Sequence, residues 1–131
     1  MEKEITRVRE LISEVDKTDK EMLDALFVIG SVLRANLKGV KYENDKGDKL
    51  CVGEYEINIR KDNRVWTLTL YDDDHYCAYV VSSDYILNLA KALLAVDFKK
   101  IFEERIKELE AMLNERRDVI QKLNVLIEEL S

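Results

Sequence analysis

The sequence predicts an α+β fold: two N-terminal helices, an antiparallel 3-4-stranded sheet, then a packing helix and a long heptad-patterned C-terminal helix. Three observations predict it. Apolar residues recur at helical spacing at both ends of the chain, the stretch from Val40 to Ser82 alternates instead, and no Gly or Pro follows Ser82. At 131 residues the chain fits a single domain, 1–131, with an α+β body over 1–96 and a long helix or oligomerisation element over 97–131.

The first helix carries Ile5, Val8, Ile12 and Val15 at spacings of three and four, widened by Leu11. Thr18-Asp19-Lys20-Glu21 then has the form of a capping box, which predicts that a second helix begins there. That helix, with Met22, Leu23, Leu26, Phe27, Ile29, Val32, Leu33 and Leu37, is apolar over most of its circumference, as a helix buried on several sides should be. Gly39 supplies its stop.

In the middle, a short strand from Val40 to Glu43 is expected to pair with the segment starting near Leu50, across the loop Asn44–Asp48. Gly53 marks a shift in the phase of alternation and is read as a bulge. Ile57 and Ile59 alternate with polar neighbours, and so do Trp66 and Leu68. A two-residue turn at Asp62-Asn63 sets Lys61 against Arg64, Ile59 against Trp66, Ile57 against Leu68 and Tyr55 against Leu70. Pattern and turn agree, because a slip of one residue would face every apolar side chain with a polar one. A further strand, His75 to Val81, follows the turn Asp72-Asp73-Asp74, its register left open by the loop length. Cys51 and Cys77 then lie about two strand spacings apart, roughly 10 Å, so both are expected as free thiols.

Ser82-Ser83-Asp84 begins a helix whose Ile86–Val96 stretch is apolar enough to lie on the sheet. After Asp97 comes the most informative segment. Phe102, Ile106, Leu109, Leu113, Arg116, Ile120, Leu123, Ile127 and Leu130 form a heptad seam, interrupted chemically only by Arg116. Isoleucine dominates one seam position and leucine the other, while Met112, Val119 and Leu126 add a third apolar column, which calls for more than one neighbouring helix. A homodimer through this helix, with the first helix joining a four-helix arrangement, would cover it. The alternative is a bend within Asn114–Asp118 that folds the segment into a helical hairpin inside one chain.

Chemistry is scarce in this sequence. Gly-x-Gly-x-x-Gly, Walker and Gly-x-Ser-x-Gly patterns are absent, and His75 is the only histidine. No catalytic residue, cofactor or resident metal is therefore expected. The net charge of −6 disfavours a general nucleic-acid binder. The amino terminus is charged from Glu2 onward, without an export signal, and two cysteines are too few for a disulfide framework, so a cytoplasmic location is expected with no membrane partner.

A polar surface formed by Asn58, Arg60, Lys61, Arg64, Thr67 and Tyr71 around the Asp62-Asn63 turn is the candidate binding surface for another protein. The leading expectation is a non-enzymatic protein–protein interaction or assembly protein, of a kind that suits a viral or mobile-element accessory role. One alternative is a nucleic-acid-binding dimer using the Arg60-Lys61-Arg64 hairpin tip. A second is a metal-dependent hydrolase at Asp72, Asp73, Asp74 and His75.

Overall fold

A helix of 36 residues, α1 (Glu2–Leu37), opens the chain. The computed structural model describes residues 1–53, 56–61, 64–69 and 83–131, and of Lys61, Arg64, Ser83 and Asp84 only the backbone. The break expected at Thr18 is absent, so one continuous helix replaces the two predicted. The Thr18 hydroxyl donates to the Val15 carbonyl at 2.8 Å, a bond to the preceding turn that satisfies a threonine inside a helix. No Gly or Pro precedes Gly30, so nothing there stops helix propagation. The helix ends where expected, with Gly39 at φ +79°, a conformation that favours glycine.

The four described strands are β1 (Lys41–Glu43), β2 (Lys49–Val52), β3 (Glu56–Lys61) and β4 (Arg64–Thr69), paired antiparallel in the order β1-β2-β3-β4. Asn44 organises the β1–β2 loop. Its side-chain oxygen accepts from the Lys46 and Asp48 backbone amides at 3.0 and 2.9 Å. The register of β3 with β4 is the predicted one, with Lys61 against Arg64, Ile59 against Trp66 and Ile57 against Leu68. The expected pair Tyr55 and Leu70, the Asp62-Asn63 turn, Cys77 and the strand at 75–81 lie outside the described residues.

The bulge read at Gly53 is instead part of a chain reversal. Val52 faces Ile57 and the Gly53 amide donates to the Glu56 carbonyl at 2.7 Å, so β2 and β3 are separate antiparallel strands. A bulge and a tight reversal both shift the phase of alternation, which is why the pattern alone does not separate them.

Leu50, Val52, Ile57, Ile59 and Leu68 form the covered sheet face, each at most 2% exposed. Helix α2 (Ser83–Leu94) packs on β3 and β4 through the face carrying Ile86, Leu89 and Leu93. Helix α1 meets α2 and β2, burying Leu26, Leu33 and Leu37 at spacings fitting one helical face. The end of α1 is tied to the sheet by hydrogen bonds from the Gly39 amide to the Val52 carbonyl and from the Val52 amide to the Val40 carbonyl.

The chain divides into two compact units, Met1–Val96 and Asp97–Ser131. The second is α3 (Phe98–Leu130), 33 residues long and started by the Asp97 carboxylate, which accepts from the Lys100 amide at 3.1 Å. It runs without interruption through Asn114–Asp118, where a helical hairpin would have turned.

Candidate interaction surfaces

The continuity of α3 keeps the whole heptad seam on one rod. Phe102 is half-buried, while Ile106, Leu109, Leu113, Arg116, Ile120, Leu123, Ile127 and Leu130 are exposed. The third column, Met112, Val119 and Leu126, is exposed too. Arg116 donates from its guanidinium to the Met112 carbonyl at 3.2 Å, which holds the charged head close to its own helix. The polar faces carry intrahelical ion pairs, Arg105–Glu108 at 2.9 Å and Lys122–Asp118 at 3.0 Å, of the sort that support a solvated helix by a few tenths of a kcal/mol each, about 0.2–0.5.

A second apolar stripe lies on the N-terminal part of α1, where every residue from Met1 to Thr18 is exposed. Ile5, Val8, Leu11, Ile12 and Val15 stand between 41% and 56% exposed. The sequence marks this stripe only as the apolar side of an amphipathic helix that could join a four-helix arrangement, and its residues are not among the predicted interface residues. The signal that could have found it is the same spacing of three and four that marks the seam of α3. At the helix start, Glu4 has its carboxyl pKa lowered, first by its own backbone amide and then by the Met1 ammonium group at 3.1 Å.

The sheet face opposite the core presents Lys41, Glu43, Lys49, Cys51, Glu56, Asn58, Arg60, Val65, Thr67 and Thr69, none of them buried. Of the predicted binding surface, Asn58 and Thr67 are brought face to face across β3 and β4, and the Thr67 hydroxyl donates to the Asn58 side-chain oxygen at 2.8 Å. Arg60 stands on the same face, opposite Val65. Lys61 and Arg64 pair through their backbones one position further along the hairpin, and Tyr71 lies outside the described residues. Lys49 and Glu43 form an ion pair at 3.8 Å on this face, so its charge is mixed rather than uniformly basic. Cys51 is a free thiol, half-buried beside Asn58.

On the covered side, a cleft of about 240 Å³ opens between the sheet and the C-terminal half of α2. Tyr42, Trp66, Leu50 and Ile59 supply an apolar and aromatic wall, and Asn44, Asp48, Asn88 and Lys91 a polar one. The Asp48 Oδ1 is buried with no hydrogen-bond partner among the described residues, whereas its Oδ2 accepts from the Asn44 side chain at 3.2 Å. Sequence reasoning missed this cleft, whose walls come from four strands and a helix far apart in the chain.

The acidic run Asp72-Asp73-Asp74-His75 lies outside the described residues. Among the described residues there is no group of three or more His, Cys, Asp or Glu arranged to hold a metal ion, and no helix long and apolar enough to cross a membrane. No protein-family model, curated protein or solved structure matches the chain.

Proposed function

We propose that this chain is a non-enzymatic assembly protein that forms a homodimer in the cytoplasm by coiled-coil pairing through α3 and presents the open sheet face to another protein. The observation that carries this reading is the exposed seam of α3, which keeps its heptad spacing throughout and is apolar at every exposed position but Arg116. An isolated helix keeps such a face in water only at a cost, because apolar area returned to a partner is stabilising by roughly 25 cal/mol per Å². Exposed apolar patches of this extent, rimmed by charge, are associated with interaction sites in soluble proteins. The mixed polar face around Asn58, Arg60 and Thr67 supports a partner role for the sheet, since Arg is enriched at protein interfaces and a typical interface carries several direct hydrogen bonds.

Light scattering across a tenfold concentration range tests the reading, on the full chain and on Leu123→Glu. The expected result is a dimer for the full chain and a monomer for the variant. A full chain that stays monomeric throughout the range would refute it.

A further inference from the structure

The seams of α1 and α3 share a feature that neither shows alone. From Ile5 to Met22 the α1 seam advances by 3, 4, 3, 4, 3 through Val8, Ile12, Val15 and Asp19. Read backward from Leu130 to Leu113, the α3 seam advances by the same steps. Superposed in opposite directions, Ile5 meets Leu130, Val15 meets Ile120, and the one acid meets the one base, Asp19 against Arg116. Superposed in the same direction, the two charges cannot meet. A spacing of three follows Asp19 and a spacing of four follows Arg116, so parallel alignment of the pair throws the apolar positions out of step.

The flanks agree with the antiparallel alignment. It sets Leu11 beside Leu126, both outside the narrow seam, and on the other flank sets Asp16 beside Arg117. The broadened apolar sides of the two helices thus fall on one side of the pair, where a second pair could pack on them. Self-pairing of α3 in parallel would instead oppose Arg116 to its own copy, two like charges in a desolvating seam.

Both stripes carry apolar side chains in water: Val15 is 52% and Ile120 55% exposed. Asp19 is half-buried, and its carboxylate makes no ion pair or hydrogen bond among the described residues. We infer that the N-terminal part of α1 from one copy lies antiparallel along the C-terminal half of α3 from a second copy, with Asp19 facing Arg116. The contact ends near Met22, because the next seam position, Leu26, is already buried in the body. Two-fold symmetry makes the exchange reciprocal and closes it, giving two equivalent pairs. This rests on the self-association proposed above and assigns the surface that the seam of α3 meets.

The test is a charge exchange followed by sedimentation velocity. Asp19→Arg puts two bases in both pairs of the dimer and Arg116→Asp puts two acids there, so each variant alone raises the dimer dissociation constant at least about tenfold. Both substituted residues are partly or fully exposed, and circular dichroism on each variant checks that its helices are kept. The decisive sample is an equal mixture of the two single variants. In a reciprocal dimer of one copy of each, both pairs regain an acid facing a base, so dimer returns.

Rescue in the double variant without rescue on mixing would place the pairing within a chain and overturn the inference. A dimer indifferent to both substitutions would overturn it while leaving self-association through α3 intact. A wild-type chain that is monomeric under the same conditions would remove both.

Discussion

Ile120 and Val125 offer a paired perturbation, because they stand equally in water on the same helix, 55% and 50% exposed, but differ in heptad position. Ile120 lies in the seam and Val125 on the opposite side. Replacing Ile120 with alanine deletes three carbons, worth ~2.4 kcal/mol on complete transfer from water at ~0.8 kcal/mol per CH₂. Only the 55% still exposed remains to be buried by association. That leaves ~1.3 kcal/mol per copy and ~2.6 kcal/mol per dimer, a dissociation constant raised roughly 80-fold.

Val125→Ala makes a similar gain in helix propensity, and such gains act on monomer and dimer alike. It should leave the constant within about threefold of wild type, as surface substitutions generally do. Sedimentation equilibrium at several loading concentrations measures both. Equal shifts for the two variants, or none for Ile120→Ala, would refute the assignment of the seam.

Three further outcomes are expected. Leu68→Ala, at a position 1% exposed, should cost about 2–5 kcal/mol in urea unfolding, whereas Val65→Ala on the opposite face of β4 should cost under about 1 kcal/mol. Thr67→Val removes the hydroxyl that donates to Asn58 at 2.8 Å and should lower stability by about 1 kcal/mol, read in the same titration. Gly47 has φ +82° and open space where a Cβ would stand, so Gly47→Ala should lose about 1 kcal/mol to backbone strain alone and Gly47→Asn clearly less, seen as a smaller drop in Tm.

The β3–β4 register was legible because alternation and a short connection constrain it independently, and both require Ile57 opposite Leu68. The end of α1 was legible for a similar reason: the helical stripe stops where Gly39 allows a positive φ. Thr18 misled because the residues of a capping box are also tolerated inside a helix, and the choice between cap and back-bond depends on whether the preceding turn is already helical. Gly53 misled because a reversal and a bulge leave the same trace in the pattern. The heptad of α3 could be read residue by residue, whereas the N-terminal stripe of α1 could be read only as amphipathic. Which surface covers a stripe is set by packing, and no local periodicity encodes it.

Helix α1 is one hydrogen-bonded rod whose ends experience different surroundings: Leu33 and Leu37 sit in the core with the chain pinned to Val52, while everything before Asp19 stands in water. Helical turns without tertiary cover open at small free-energy cost, and those packed in a core open only with the body. In dilute solution, amide hydrogen exchange should therefore slow progressively from Ile5 toward Leu33 along an unbroken helix. A partner that clamps the first turns would flatten that gradient from the outer end inward, so the number of protected amides counts how many turns are engaged. The same covalent rod thus serves as a built-in gauge of assembly, readable without a label.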